Sequence, residues 1–218
     1  TTGTIHCWGS NSFQQVTNIP TGNFSALSSG YSHNCALDTS GAIHCWGDDG
    51  APHIPTDAPT GLYSTLDLST SYGCALDANG TPTCWGRTFI GMDIGNVIAD
   101  TPTTSGNIAI SAGLLFACII DSAGEIDCWG APQYQNHGQL DAPAGTFESL
   151  SSSSATSCAL DTTGTPQCWG HDHQWIVTDT PNAPGLDVVS VGEQQACALN
   201  SLTGALLCWG STDALQAP

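Results

Sequence analysis

The sequence predicts an all-β fold, a β-propeller built from repeats of about 40 residues. The tripeptide Cys-Trp-Gly occurs six times, and its successive tryptophans are 38, 39, 44, 40 and 40 residues apart. Five of the copies close a longer segment, Cys-Ala-Leu-Asp or a close variant, then a turn with glycine, then Cys-Trp-Gly, as in Cys35 to Gly47. A further hydrophobic strand pattern precedes each segment, as in Phe24 to Ser29. Three or four short antiparallel strands per repeat are typical of a propeller blade.

These repeats divide the single predicted domain into units. A partial unit at residues 1–9 is followed by complete units at 10–47, 48–86, 87–130, 131–170 and 171–210, and by a tail at 211–218. The predicted propeller therefore has five full blades and a partial sixth. The alternative architecture is an open array of β-repeats that neighbouring copies of the chain continue.

Each long segment is predicted to be a β-hairpin with a disulfide between its strands. When Asp38 pairs with Ala42, Gly41 supplies the left-handed conformation that the third position of a three-residue loop needs. This register places Cys35 opposite Cys45 on a rung without backbone hydrogen bonds, where the α-carbons are close enough for a disulfide. The same reasoning pairs Cys74 with Cys84, Cys118 with Cys128, Cys158 with Cys168, and Cys197 with Cys208.

The fifth hairpin has a longer turn than the others, and the other four turns begin with an aspartate. Cys197 and Cys208 are one residue further apart than the other pairs, and we expect the extra residue in the turn, with Asn200 paired to Ala205. The aspartates that begin the other turns are predicted to cap backbone N–H groups rather than to bind calcium, since no calcium-loop motif is present. They are Asp38, Asp77, Asp121 and Asp161.

The chain has eleven cysteines, and Cys7 is the one that has no hairpin partner in this scheme. Three explanations are open. The chain is a part of a longer repeat array, or a neighbouring copy completes the open edge of the partial unit, or Cys7 bonds a cysteine of another copy. The last two explanations predict an oligomer or a filament.

The charge of the chain excludes two classes of partner. There are 19 acidic residues against one basic residue, Arg87, which gives a formal net charge of −18 at pH 7. Nucleic acids and anionic lipids attract Lys and Arg, so neither nucleic acid nor a membrane surface is an expected partner.

The longest mostly apolar stretch, Ile110 to Ile120, is about half the length of a membrane-spanning helix, and we predict that it is a core strand.

The cysteines also indicate an extracellular, secreted protein. No Cys-x-x-Cys spacing occurs, which favours disulfides over metal ligation, and disulfides persist in oxidising compartments. The sequence begins at Thr1 without a charged and apolar leader, so we expect that any export signal has been removed.

The run Asn136 to Pro143, Asn-His-Gly-Gln-Leu-Asp-Ala-Pro, precedes a hydrophobic strand, a Cys-Ala-Leu-Asp hairpin and Trp-Gly. This arrangement resembles the repeat of the regulator of chromosome condensation family, in particular its bacterial secreted branch, in which the repeat carries paired cysteines. The resemblance covers essentially the whole chain and implies a β-propeller, commonly seven-bladed, around a central channel. Chromatin-bound members use basic surface for nucleosome contact, which this acidic chain lacks. Similar bacterial propellers include secreted inhibitors of β-lactamase, which bind their target with loop residues on one face; this resemblance assigns no contact residue in this chain.

Three residues in one loop are candidates for surface contact: His171, His173 and Trp175. Trp175 lies outside the repeat pattern, and aromatic residues are enriched in binding sites. In an extended segment the two histidines would lie on one side, near Asp172 or Asp179. Two ligands without a third at a recognisable spacing do not predict a metal site, so we expect no metal and no cofactor.

No catalytic motif occurs, neither Gly-x-Ser-x-Gly nor His-Glu-x-x-His nor a nucleotide-binding loop, and disulfide-bonded cysteines cannot act as nucleophiles. The sequence therefore predicts a non-catalytic extracellular structural or interaction scaffold. Its expected partners are other copies of itself, assembled head to tail into an oligomer or filament, or another extracellular protein. The alternative is a monomeric recognition module, a protein inhibitor or carbohydrate binder, that uses the loops Arg87 to Asp100 and His171 to Asp179. Cations and glycans are the weaker candidates as ligands.

Overall fold

A computed structural model describes residues 3–48, 58–86, 95–130 and 137–211. Within these ranges the chain forms five three-stranded antiparallel sheets, one short helix, α1 (Gly95–Ala99), and a 3-10 turn at His173–Trp175. The strands are β1 (Phe24–Ser29), β2 (His33–Asp38), β3 (Ile43–Gly47), β4 (Tyr63–Leu68), β5 (Tyr72–Asp77), β6 (Pro82–Gly86), β7 (Ala109–Ala112), β8 (Phe116–Ile120), β9 (Ile126–Gly130), β10 (Phe147–Ser153), β11 (Thr156–Asp161), β12 (Pro166–Gly170), β13 (Val188–Val191), β14 (Gln195–Asn200) and β15 (Ala205–Gly210). None of the described helices is long and apolar enough to span a bilayer.

Each repeat forms one sheet whose three strands follow one another in chain order. The first strands of successive sheets contact each other, β1 with β4, β4 with β7, β7 with β10 and β10 with β13. These strands are therefore innermost, and each Cys-Trp-Gly strand forms the outer edge of its sheet. This radial order is that of propeller blades.

The second and third strands of every sheet pair in the register that places two cysteines opposite each other. Their α-carbons lie 4.0 to 4.1 Å apart, and each pair is joined by a disulfide. In the fifth sheet Asn200 pairs with Ala205, so the additional residue lies in the turn. The predicted fold class, an all-β propeller of repeats with a disulfide inside each hairpin, is confirmed.

The apolar run Ile110 to Ile120 differs from the single strand that we expected. It forms the end of β7, a turn, and β8, and the turn is closed by a hydrogen bond from the N–H of Gly113 to the carbonyl of Phe116, 2.8 Å. A Cβ at position 113 would lie 2.0 Å from the Phe116 ring. Gly113 therefore permits a tight reversal inside an apolar sequence.

The turn aspartates use their carboxylates within their own hairpins. Asp38 Oδ1 accepts hydrogen bonds from the N–H groups of Ser40, 2.8 Å, and Ala42, 3.1 Å. The Ser40 hydroxyl and the His44 ring also bind the Asp38 carboxylate, and together these contacts hold the pKa of that carboxyl well below its usual value. Equivalent backbone contacts are made by Asp77, Asp121 and Asp161.

The glycine of each hairpin turn also links one repeat to the next. The carbonyl of Gly41 accepts a hydrogen bond from the N–H of Tyr63, 2.8 Å, at the start of the following sheet. Four further links of this kind join Gly80 to Asn107, Gly124 to Phe147, Gly164 to Leu186, and Gly3 to Phe24. Residues 3–9 differ from residues 41–47 at one position only. They therefore hold the place of a third strand that precedes the first sheet.

The core lies between the sheets. In the second to fifth sheets the tryptophan of the Cys-Trp-Gly strand belongs to a buried cluster with a disulfide cysteine of the preceding sheet, as Trp85 does with Cys35 and Leu37. The same relation holds for Trp129 with Cys74, Trp169 with Cys118 and Trp209 with Cys158. The interior tryptophans are thus part of blade packing, and the disulfides of the first four sheets form part of the surface on which the next blade packs.

Candidate interaction surfaces

A belt of side-chain oxygens connects the innermost strands. It occupies the strand position opposite the first cysteine of each hairpin, which holds Ser28, Asp67, Ser111, Ser151 and Ser190. At each described junction the belt side chain accepts a hydrogen bond from a backbone N–H of the next sheet. The bonds are Leu68 to Ser28, 3.0 Å; Ala112 to Asp67, 2.9 Å; Ser152 to Ser111, 2.9 Å; and Val191 to Ser151, 3.0 Å.

Asp67 is the one carboxylate in the described part of this belt. It accepts hydrogen bonds from the hydroxyls of Ser28 and Ser111, both at 2.9 Å, in addition to the N–H of Ala112. Burial raises the pKa of Asp67, and the N–H of Ala112 opposes this shift more than the hydroxyl donors do. The carboxylate therefore joins three blades, and its oxygens are occupied by protein donors rather than directed at a ligand.

A polar cavity of about 470 Å³ lies at one end of the innermost strands. All five sheets and the turns that follow their first strands contribute to its lining, which includes Ser29, Ser69, Ser153 and Glu193. Tyr31 stands in the same lining, and 82% of its surface is exposed. The cavity thus offers hydroxyl, carboxylate and aromatic groups at the centre of one propeller face.

His33 is a buried imidazole in the first sheet. Neither ring nitrogen has a hydrogen-bond partner among the described residues. It takes the strand position that Tyr72 and Phe116 occupy in the next two sheets. Burial lowers the pKa of His33 from 6.5 to about 4, against the opposing charge of Asp48. The folded protein therefore holds this imidazole neutral.

We expect His33 to make the protein less stable as the pH falls from about 6.5 to about 4. In that window the unfolded chain binds a proton that the folded state excludes, and the full effect is about 3 kcal/mol. His33→Phe, which copies Phe116, should remove this part of the pH dependence. Urea unfolding of both proteins at pH 7 and pH 4.5 measures it. The same loss of stability on acidification in both proteins would contradict the assignment.

The three candidate contact residues lie close together after β12. The ring centroids of His171 and His173 are 5.7 Å apart, and His137, which the sequence did not single out, stacks on His171 at 4.2 Å. The segment is not extended as expected. It turns at Gln174 and Trp175, whose φ angles of 55° and 61° lie in the left-handed region. The turn places the rings in a stack instead of along one side of a strand.

The carboxylate nearest to this stack serves the loop itself. Asp172 accepts hydrogen bonds from the N–H groups of Val177, 2.8 Å, and Thr178, 3.1 Å, and from the Thr178 hydroxyl. Across the described residues no group of three or more His, Cys, Asp or Glu side chains is arranged to hold a metal ion. Trp175 is 61% exposed, so the loop presents aromatic groups to solvent. Of the other predicted binding loop, Arg87 to Asp100, residues 87–94 lie outside the described residues.

The fifth sheet exposes a face that is covered in the other blades. Val188 and Leu206 are 49% and 55% exposed. Cys208 is exposed as well, whereas Cys84 at the same strand position in the second sheet is 9% exposed. These residues correspond to those that receive the next blade elsewhere in the array. The fifth sheet therefore ends the described array with an apolar, disulfide-bearing face.

At the opposite end of the array, side chains that contact the preceding blade in the other sheets are exposed. Leu27 of β1 is 50% exposed, while Leu66 and Ile110, at the same position in the next two sheets, are each 7% exposed. Trp8 is 85% exposed, against 5% to 9% for the tryptophans of the five hairpins. Both residues belong to the surface that elsewhere packs on the preceding blade.

Residues 24–51 match the family described as the Regulator of chromosome condensation (RCC1) repeat. Prp20p from Saccharomyces cerevisiae has a similar fold, with a TM-score of 0.65 and 17% sequence identity. The match covers 86% of this chain and 57% of Prp20p. The repeats are therefore similar in fold to those of the RCC1-type proteins. A search of curated protein sequences gives no match.

Two receptor-kinase ectodomains share the RCC1-like fold at a TM-score of 0.72, and each match covers 94% of this chain. The ectodomain of CR4 from Physcomitrella patens is 28% identical, and the chain spans 56% of its length. The CRINKLY WD40 ectodomain of ACR4 from Arabidopsis thaliana is 21% identical, and the chain spans 72% of it. Together with five disulfides, these similarities indicate an extracellular or otherwise oxidising environment and an interaction module. Placement in the bacterial secreted branch stays a prediction.

Proposed function

We propose that this RCC1-like array is a non-catalytic extracellular scaffold that binds protein partners and associates head to tail with copies of itself. The observation that carries the proposal is the pair of uncovered, non-identical faces at the two ends of the described array. Disulfides and the similarity to receptor-kinase ectodomains support the extracellular setting.

The two faces carry the two sides of the contact between a tryptophan and a disulfide that joins neighbouring blades inside the array. On the fifth sheet, Val188, Leu206 and the Cys197–Cys208 disulfide form the type of surface on which a tryptophan packs elsewhere in the array. At the other end, Trp8 is a tryptophan of the repeat without such a disulfide beneath it among the described residues. A contact between two different patches is heterologous, and it produces a ring or a filament instead of a closed dimer. Trp8 of one copy would then cover the fifth sheet of the next.

Self-association is expected to weaken by about tenfold or more in Leu206→Glu, because the new carboxylate would be buried unpaired in the junction. Leu202→Glu is the matched control, since Leu202 is 94% exposed in the turn beside the face. Sedimentation velocity over a concentration series, with electron microscopy of the same samples, measures the effect. A wild-type protein that is monomeric at every soluble concentration, or equal association of the two variants, would overturn the head-to-tail proposal.

A monomeric recognition module is the second candidate, and the His137, His171 and His173 stack beside exposed Trp175 favours it. In that case a protein or glycan partner binds the loop His171 to Asp179. Trp175→Ala should then abolish capture of the partner in a pull-down or glycan array without changing the oligomeric state. Unchanged capture would remove this loop from the candidates.

A further inference from the structure

We propose that the polar cavity at the centre of one propeller face binds a short, neutral saccharide. The proposal goes beyond the scaffold function, because the head-to-tail contact involves the faces of the two end sheets and not this cavity. The site also differs from the recognition loop His171 to Asp179, none of whose residues lines the cavity.

The cavity is formed chiefly by the three sheets that have a described neighbour on each side. Residues 67–70 of the second sheet, 112–114 of the third and 151–154 of the fourth all line it. Its volume of about 470 Å³ is in the range of small-molecule sites, about 300–1,000 Å³. The main part of the cavity is therefore a product of the innermost strands and their turns, and it does not depend on either end of the array.

Hydrogen bonds between neighbouring turns hold the wall of the cavity in place. The hydroxyls of Ser69 and Tyr72 both donate to the carbonyl of Gly113, and the N–H of Leu114 donates to the carbonyl of Ser154, 2.8 Å. These bonds connect the second sheet to the third and the third to the fourth. A wall that is fixed before binding loses little conformational entropy when a ligand enters.

The polar side chains around the opening, which we call the rim, differ from the belt because they are not bonded to protein groups. At the described junctions each belt oxygen accepts a backbone N–H. The rim side chains make no hydrogen bond within the described part of the chain, and a hydroxyl can donate and accept at once, as each hydroxyl of a sugar can. The rim therefore offers several groups that match a polyol. They are Ser29, Tyr31, Thr70, Ser153, Ser154 and Glu193.

The charge of the lining disfavours anionic ligands. The described lining contains the carboxylates of Asp67 and Glu193 and no Lys, Arg or His side chain. Phosphate, sulfate and carboxylate groups would therefore meet repulsion without a compensating cation. Peptides bind through apolar anchors in pockets, and the apolar lining residues Leu68 and Val191 are themselves buried. A neutral ligand rich in hydroxyls fits this lining best.

Tyr31 adds an aromatic surface to the rim. Its side chain belongs to the turn between β1 and β2 and makes no hydrogen bond within the described residues. A tyrosine combines a flat apolar ring with a polar tip. A sugar ring can lay its C–H face on such a ring while its hydroxyls reach the rim serines. Small-molecule sites commonly combine aromatic groups with a few polar ones in this way.

His33 provides an independent observation at the same wall. Gly30 lines the cavity, and a Cβ at that position would lie 2.4 Å from Cε1 and 2.6 Å from Nε2 of His33, and 2.5 Å from the carbonyl oxygen of Ser69. The tip of this buried imidazole is therefore directed at the bare backbone of Gly30, and neither ring nitrogen has a partner among the described residues. Tyr72, at the same strand position, bonds the carbonyl of Gly113 instead. The wall beside Gly30 thus favours a polar ligand over an apolar one.

Titration calorimetry of the full chain with a panel of defined saccharides tests the proposal. Cellotriose, maltotriose and chitotriose represent structural and storage polysaccharides, mannotriose and N-acetyllactosamine represent glycoprotein chains, and trigalacturonate is the anionic control. We expect at least one neutral saccharide to bind at least about tenfold more tightly than trigalacturonate. The absence of binding to every neutral member up to millimolar concentration would overturn the proposal, and so would equal or tighter binding of trigalacturonate.

Two pairs of variants locate the site with the saccharide that binds. Thr70→Trp should weaken binding by about tenfold or more, because the indole would occupy the cavity. Ala78→Trp is its matched control, since Ala78 is exposed in the turn at the other end of β5. Tyr31→Ala should weaken binding by about threefold to tenfold, whereas Tyr31→Phe keeps the ring and should bind like the wild type. An unchanged melting temperature shows that each variant is folded, and the Tyr31 pair tests the site by itself if Thr70→Trp does not fold.

Unchanged binding in both Thr70→Trp and Tyr31→Ala would overturn the cavity site. Loss of binding in Trp175→Ala, with unchanged binding in Thr70→Trp, would place the saccharide on the loop His171 to Asp179 and would overturn it as well. Neither result bears on head-to-tail association, which the Leu206→Glu comparison tests separately.

Discussion

Reduction of the five disulfides is expected to unfold the protein at ordinary temperatures. Each disulfide joins cysteines 10 or 11 residues apart. The chain-entropy relation gives about 2–3 kcal/mol for a loop of this size, or about 10–15 kcal/mol for five. This sum matches the whole free energy of unfolding of a typical domain, about 5–15 kcal/mol. Thermal melting followed by circular dichroism, with and without reductant, measures the loss. A reduced protein that melts within a few degrees of the oxidised one would contradict it.

The order of reduction provides an internal control. Cys208 is exposed and Cys197 is half-buried, whereas in the other pairs the first cysteine is fully buried and the second is buried or half-buried. A limited amount of reductant should therefore open Cys197–Cys208 first, since thiol attack requires access to a sulfur. Alkylation and peptide mass mapping identify the opened pair. If an interior pair opens before Cys197–Cys208, the exposure of the fifth sheet is not what the structure shows.

Asp67→Leu is expected to destabilise the protein by about 3–5 kcal/mol. The substitution leaves the hydroxyls of Ser28 and Ser111 and the N–H of Ala112 without the acceptor that joins them. A leucine at this site also introduces an apolar group into the polar belt. The expected loss is large because three blades share this one carboxylate.

Asp67→Ser is the matched control, because the other four sheets have serine at the same strand position. It keeps an oxygen acceptor and should cost about 1 kcal/mol or less. Urea unfolding at neutral pH compares both variants with the wild type. Equal destabilisation by leucine and serine would show that side-chain volume, and not the acceptor, determines the stability at this position.

The hairpins could be predicted from the sequence in detail because their information is local. The spacing of Cys35 and Cys45 and the glycine between them determine the turn and the register without reference to the rest of the chain. The irregular fifth hairpin followed from the same rule, with Asn200 paired to Ala205.

The belt and the histidine stack could not be predicted, because both depend on contacts between repeats. Ser151 lies in a run of four serines, and nothing in the sequence separates it from its neighbours. Asp67 replaces a serine within a variable strand, so no pattern marked it. His137 and His171 are brought together only when the loops before and after one three-stranded sheet meet. Gly113 interrupts an apolar run whose hydrophobicity alone indicated a single strand.

The link from Gly41 to Tyr63, repeated from Gly3 to Gly164, has a consequence for how such chains change in length. Every link and every belt contact joins equivalent positions of consecutive repeats. An in-frame duplication or deletion of one repeat in the gene would therefore recreate the same donor and acceptor at the new boundary. Blade number can vary between related proteins without a redesigned junction, while the loss of a few residues inside a repeat would disrupt two neighbouring blades.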